Sequence, residues 1–499
     1  MEFNWGKLLS PNAETERSEP RKFDSRTKFD SDYSRITFSA PFRRLQDKTQ
    51  VFPLEQNDFV RTRLTHSMEV ASIARSLGKS IASELDKTNS KYGWKKENGN
   101  DISVILECAG LVHDIGNPPF GHSSEKAIQN WFKHKEKELL REFCNFSTDN
   151  ISDDDIQKRL KEEKRIQDFL NFDGNVQGFR ILTHLQCICD YYGYHLTSAL
   201  LAAMMKYPVD SLTGNKGDSA SDHKLKKFGY FDAECESAEF VLKECGLIDD
   251  KGEHYRSPLT FILEAADDIA YSAADIEDGF KKGLFSLNDL LAELKKEKTD
   301  ECINQVLKKA KSQMEKTDLL NERKIQWLRI CIHQVYCDTL VEEFIKNYDK
   351  IMRGTFADEL LKAGKLKKLR SLLERFSYEN LINNQEVSKI EIAGKNVISF
   401  LLGEFSNDLI SNGVDTLLAD NIVIDKCIDK LRETKTWNLI SEDFKDIFIY
   451  TLKRNAKDET LPKTEIIYHT YLLITDFISG MTDNYCIRLY RRLMGITIN

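Results

Sequence analysis

Helix breakers are scarce along this chain, and that scarcity limits what it can fold into more than any other feature. Nine prolines and 24 glycines are spread over 499 residues. Proline removes a backbone donor and glycine costs chain entropy inside a helix, so few places interrupt the apolar residues that recur three and four apart. The fold class that follows is all-α with little β structure, since the strict alternation of a half-buried strand is hard to find. Residues 68–85, 102–113, 195–205, 259–280 and 327–348 read as its clearest helices, each bounded by turn-prone or charged residues. The expected organisation is an N-terminal arm over 1–30, a helical core over 31–300 and a C-terminal helical region over 301–499 packed on that core.

Two charge-dense stretches, 134–166 and 292–324, read as solvated helices flanking the core, and 213–224 (TGNKGDSASDHK) reads as a loop. With 41% hydrophobic and 30% charged residues, the chain can bury enough apolar surface to offset chain ordering. A net charge of -8 argues against an overall basic surface for nucleic acid. The first residues lack the apolar core of a signal peptide, and no segment approaches the roughly 20 apolar residues that span a bilayer. The expectation is a cytoplasmic protein with no membrane partner. Eleven cysteines occur without a CxxC pair, Cys187 and Cys189 being nearest, and they read as reduced thiols.

The histidines depart from this plain background. His66, His113 and His122 fall in two segments, VRTRLTHSMEV and LVHDIGNPPFGHSSE. His113 and Asp114 end an apolar helical run that IGNPP must break. Adjacent helical residues point about 100° apart, so both can face one cation only at such an end. An oxygen donor is available in LEAADDIAYSAADIED, where Asp267, Asp268, Asp275 and Glu277 interrupt an apolar helix and are costly to bury without a partner. Asp267 is the choice that puts Tyr271 and Asp275 on its own face, four residues apart. A mixed His/Asp set suits a hydrated divalent ion better than the closed sulfur cage of structural zinc.

These segments resemble the HD-domain superfamily of metal-dependent phosphohydrolases. FRRLQDKTQVFPL, VRTRLTHSMEV, LVHDIGNPPFGHSSE, GNVQGFRIL, MMKYP, LEAADDIAYSAADIED, IMRGTF and ISGMTDNY follow in order from position 42 to 485. Together they are similar to the bacterial deoxyguanosinetriphosphate triphosphohydrolases. The resemblance implies hydrolysis of a deoxynucleoside triphosphate, dGTP favoured, at the α-phosphorus, releasing deoxynucleoside and tripolyphosphate. It implies one divalent cation, Mn or Mg first with Fe, Zn, Co and Ni also suiting the donors, on His66, His113, Asp114 and Asp267. His122 and Glu125 match the family's proton-transfer pair; from the residues alone His122 is equally a helix-start histidine.

An acidic protein must gather cations locally for a triphosphate, and Arg63, Arg180 and Lys206 are the candidates, with buried salt-bridge partners as the competing reading for each. Asn175 is a further candidate for phosphate contact and Gln46 for nucleoside contact. The resemblance sets Tyr271 against the deoxyribose and Asp275 on its 3′-hydroxyl, although a tyrosine in an apolar helix is usually core. It also implies a homohexamer, and a single-stranded DNA effector site stays open. The competing functions are a broad deoxynucleotide triphosphohydrolase, an HD hydrolase of another phosphoester, or a non-catalytic metal- or nucleotide-binding regulator; a binder has no need of His122 and Glu125.

Overall fold

A computed structural model describes all residues except 16–22, 51–59, 88–90, 145–151, 187–189, 218–221, 317–318, 383–384 and 497–499. Ten helices carry the argument: α1 (Arg63–Leu85), α2 (Asn98–Val112), α3 (His122–Lys133), α4 (Gly174–Arg180), α5 (Pro258–Lys281), α6 (Asn321–Met352), α7 (Lys367–Ser377), α8 (Gln385–Ser406), α9 (Lys463–Ser479) and α10 (Asp483–Leu493). Among the described residues the only sheet is an antiparallel pair, β1 (Asn421–Val423) on β2 (Thr460–Pro462). The helical reading therefore holds. The helix foreseen over 195–205 starts later, at Ser198, because His195 adopts a left-handed backbone with φ of 52°. The tip of the 213–224 loop, and Cys187 and Cys189, lie outside the described residues; the nine described cysteines are free.

Local signals set the helix starts. Thr62 and Thr65 form a capping box at α1, and Ser257 followed by Pro258 opens α5. One continuous buried cluster runs from Phe3 to Leu489, so the helices beyond residue 300 share their core with those before it. α1 and α2 form its centre. At their crossing a Cβ on Gly110 would stand 2.5 Å from Ala71 Cα, so the two backbones touch and only glycine fits. α5 and α6 pack beside this pair, and α8 lies along α3.

Candidate active site

The α1–α2 contact brings the first two candidate ligands together. His66 sits one turn into α1 and His113 caps α2, with ring centroids 5.2 Å apart. The helix stops at His113, and Asp114 turns back toward Arg63, whose guanidinium it accepts. Asn117 Nδ2 donates to the other oxygen of Asp114 at 2.6 Å, which fixes the carboxylate plane. Ligand atoms of His66, His113 and Asp114 all lie within 4.8 Å of one another. Asp267, from α5, places Oδ1 3.1 Å from His66 Nε2 and 3.4 Å from His113 Nε2. The structure thus gathers all four sequence-predicted ligands.

Two observations test whether this cluster fits a cation. His113 Nδ1 donates to Gly110 O at 2.8 Å, and its buried Nε2 has no hydrogen-bond partner among the described residues. A metal-ligating histidine has that arrangement, one nitrogen oriented by a carbonyl and the other left to ligate. Burial alone would lower the His113 pKa, but the carboxylates of Asp114 and Asp267 outweigh it and raise it to about 9. Burial likewise works against ionised Asp114, yet Arg63 and His113 hold it down near 2. The donor set is a pocket that favours positive charge, and it fits a divalent ion.

His122 begins α3 after a sharp turn in which Phe120 and Gly121 both take positive φ, 61° and 63°. Gly121 combines that φ with ψ of -137°, a region open essentially to glycine alone. The turn leaves 77% of the His122 side chain accessible at the cleft while Glu125 beneath it is 5% exposed. His122 Nδ1 lies 2.8 Å from Glu125 Oε2, and this hydrogen bond raises the imidazole pKa. Glu125 Oε1 accepts from Gly174 N at 2.8 Å. Both carboxylate oxygens are therefore engaged, and the histidine has one fixed nitrogen and one facing the cleft.

The cleft has a volume of about 320 Å³ and joins the two clusters: Arg63, Asp114, Asp267 and His122 line it, as does Tyr271, one helical turn beyond Asp267. Arg63 and Tyr271 thus stand where a substrate would lie. Asp275 is buried behind Tyr271 and accepts its hydroxyl; burial, then Asp278, raises its pKa well above the carboxylate range. It is not among the described residues lining the cleft. Lys206 pairs with Glu264 at 3.2 Å and is charge-coupled to Asp268 and Asp267 from outside the cleft wall.

The structure gives three of the sequence candidates other surroundings than the cleft wall. Arg180 is 4% exposed and its guanidinium is paired with the carboxylates of Asp476 and Glu234, so the salt-bridge reading applies, and it is not among the described residues lining the cleft. Asn175 spends its backbone and side-chain amides on Asp173 at the start of α4. Gln46 is exposed on the turn 45–47, away from the cleft, whereas Gln50, four residues later, lines it with a buried Oε1 lacking a partner among the described residues.

Other cleft features had no sequence signal. Val387 and Glu391 of α8 form its far wall, and Arg370 of α7 reaches Asp268 at 3.1 Å. ISGMTDNY clamps the metal loop from behind. Asp483 accepts from Phe120 N and Thr49 N, each at 3.0 Å, while buried Lys48 donates to the carbonyls of Asn117 and Ser479. The order of the motifs hinted at this contact; its partners could come only from the fold.

The chain is similar to known proteins along nearly its whole length. The family described as HD domain matches residues 63–166. A Listeria monocytogenes protein named deoxyguanosinetriphosphate triphosphohydrolase-like protein is 37% identical over 99% of this chain and 100% of its own length. Proteins named deoxyguanosinetriphosphate triphosphohydrolase are 32% identical in Yersinia enterocolitica, over 94% of each chain, and 31% identical in Klebsiella pneumoniae, over 99% of this chain and 98% of that one.

Proposed function

Because this chain belongs to the deoxyguanosinetriphosphate triphosphohydrolase family, we propose that it hydrolyses deoxynucleoside triphosphates, dGTP foremost, to the deoxynucleoside and intact tripolyphosphate. The observation that carries this reading is the His122–Glu125 pair opening onto the same cleft as Asp114 and Asp267. A metal-binding site needs no second, separately oriented imidazole; an ester cleavage does, to protonate the leaving oxygen.

In the reaction a water oxygen bonds to the α-phosphorus and loses a proton to solvent, the bond from phosphorus to the sugar 5′-oxygen breaks, and a proton is delivered to that oxygen. His66, His113, Asp114 and Asp267 would hold a divalent cation, which would supply Lewis-acid polarisation of the phosphate and lower the pKa of a bound water. Protonated His122 gives its cleft-facing proton to the leaving 5′-oxygen while Glu125 stabilises the imidazolium. Arg63 presents positive charge beside the α-phosphate, and Asp114 fixes its fork. The Tyr271 ring packs against the deoxyribose, leaving no room for a 2′-hydroxyl, and Gln50 Oε1 accepts from a sugar hydroxyl.

Glu391 supports the choice of guanine. A carboxylate accepts from adjacent donors, and guanine alone carries two on neighbouring atoms of its pairing edge, N1–H and the 2-amino group. Adenine offers a ring-nitrogen acceptor there and is repelled.

Purified protein incubated with each deoxy- and ribonucleoside triphosphate, with Mn²⁺ or Mg²⁺, is expected to release tripolyphosphate from dGTP first. Release of pyrophosphate or orthophosphate in its place refutes attack at the α-phosphorus. Metal analysis of the purified protein identifies the native ion.

A further inference from the structure

Glu125 sits between the exposed imidazole it orients and a single backbone N–H, that of Gly174. Gly174 begins α4, a helix of seven residues. So short a helix has little stability of its own, and its position depends on what anchors it. Its near side presses backbone to backbone on the metal loop. A Cβ on Gly116 would meet Gly178 N at 2.1 Å, and one on Gly174 would meet Asn117 Oδ1 at 2.0 Å and Glu125 Oε1 at 2.8 Å. α4 is therefore in register with both halves of the site, because Asn117 orients Asp114 and Glu125 orients His122.

The anchor lies at the other end. Arg180 Nε donates to Asp476 Oδ1 at 2.9 Å and to Oδ2 at 3.0 Å, Nη2 donates to Oδ2 at 2.8 Å, and Nη1 reaches Glu234. Gln177, one turn earlier, donates to the same Asp476 at 2.8 Å. All four side chains are at most 4% exposed. A fork-on-carboxylate pair fixes direction as well as distance, so it holds α4 against rotation and sliding. Gly174 and Arg180 are six residues apart, about 9 Å along a rigid helix. A change of grip at Arg180 must therefore move the Gly174 N–H. Asp173, paired with Lys227, tethers the first end separately, so loosening Asp476 tilts α4 without releasing it.

We propose that Arg180 and Asp476 are positioning residues for the proton-transfer pair, acting through α4 and the Gly174 N–H to hold Glu125 and thereby His122 in working orientation. The inference rests on the reading of His122 as proton donor. It explains why a buried, salt-bridged arginine lies beside a reactive centre whose cleft it does not line.

The test uses full-length Asp476→Asn, which keeps the side chain's size but removes its charge, and Arg180→Lys, which keeps the charge but loses the planar fork. Kinetics with dGTP and saturating Mn²⁺, bound-metal stoichiometry, thermal midpoint and NMR titration of labelled His122 are read together. The expected result is a kcat about 10-fold lower, with KM and metal stoichiometry unchanged. The His122 titration should move down toward an ordinary histidine as its bond to Glu125 loosens. A lowered thermal midpoint with unaltered kcat and unaltered His122 titration overturns the proposal, since that is the result of a purely structural ion pair. If wild type releases no tripolyphosphate, the functional reading fails, yet the His122 titration still decides whether α4 positions it. If Asp476→Asn does not fold, Arg180→Lys, which leaves the buried carboxylates with a cation, answers the same question.

Discussion

The backbone contact between α1 and α2 sets the spacing of the metal site, and Gly110→Ala perturbs it directly. The added Cβ would stand 2.5 Å from Ala71 Cα and 2.7 Å from Ala71 N. An ordinary carbon contact is roughly 3.5 Å, so the helices must separate by about 1 Å. No side chain can rotate away, because both obstructing atoms are backbone. Overpacking of this kind costs about 1–3 kcal/mol, while alanine regains about 1 kcal/mol of helix propensity over glycine. The net stability loss is therefore small, about 2 kcal/mol at most. The functional loss is larger. Gly110 lies three residues before His113 and Ala71 five after His66, and coordination distances tolerate only about 0.2 Å. Gly110→Ala should fold, lose at least ~10-fold in Mn²⁺ affinity by calorimetric titration, and lose roughly 100-fold in turnover, as a 1 Å misplacement does. Gly78→Ala is the control. It lies in the same interface, but its Cβ meets the tip of Leu106 at 2.8 Å, a side chain that can turn aside. If both variants bind Mn²⁺ alike, the contact at Gly110 does not set the ligand spacing and the reasoning fails.

Other predictions separate the parts of the site. Asp114→Ala should abolish metal binding and turnover, because it removes a ligand and leaves Arg63 buried without its partner; His122→Ala should retain the metal and lose at least ~100-fold in kcat, and near-normal turnover would exclude it as proton donor. Glu391→Gln should cut the preference for dGTP over dATP in kcat/KM by about 10-fold, since the amide offers one acceptor where the carboxylate offers two; unchanged preference removes it from base recognition. Asp168 is buried, and burial outweighs its bonds from Asp232 N–H and the Tyr468 hydroxyl, raising its pKa to about 7. The folded state then holds a proton that the unfolded state has lost between about pH 4 and pH 7, so this group's contribution to stability falls as pH rises through that window. Asp168→Asn should flatten that fall in thermal midpoints measured from pH 5 to 8, and parallel curves for the two proteins would refute it.

The helices and the His/Asp cluster were legible in the sequence for the same reason: each depends on residues close in the chain or on a pattern that repeats. His113–Asp114 before IGNPP announces a helix end, and Asp267, Tyr271 and Asp275 declare a shared face by spacing alone. Spacing failed where a side chain's partner comes from a distant element. Arg180 in apolar GFRIL looks the same whether it awaits a phosphate or is already neutralised, and the deciding carboxylate, Asp476, lies 296 residues away. Gln46 and Gln50 share one short segment, and only the exposed turn at 45–47 shows which of them turns from the cleft. Asp275 shares the helix face of Tyr271, and the four-residue step between them keeps direction while moving about 6 Å along the axis, here from the cleft wall to the layer behind Tyr271.

The C-terminal half was the least legible, and the structure gives the physical reason. Its contributions to the cleft, Val387 and Glu391 in the lining and Arg370 on Asp268 behind it, are single residues on ordinary helices. ISGMTDNY, by contrast, was visible as a motif because several of its groups act at once: the Ser479 carbonyl holds Lys48, and Asp483 holds both Thr49 and Phe120. Those three contacts fix the two segments that border His122 and Arg63, so the end of the chain sets the geometry of a loop more than 360 residues earlier. A site whose walls are local in sequence but whose supports are distant yields its chemistry to motif reading and its mechanics only to the fold. Asp476, four residues before Gly480 and outside the reacting groups, belongs to the second kind, and the effect of Asp476→Asn on His122 measures how far such support reaches.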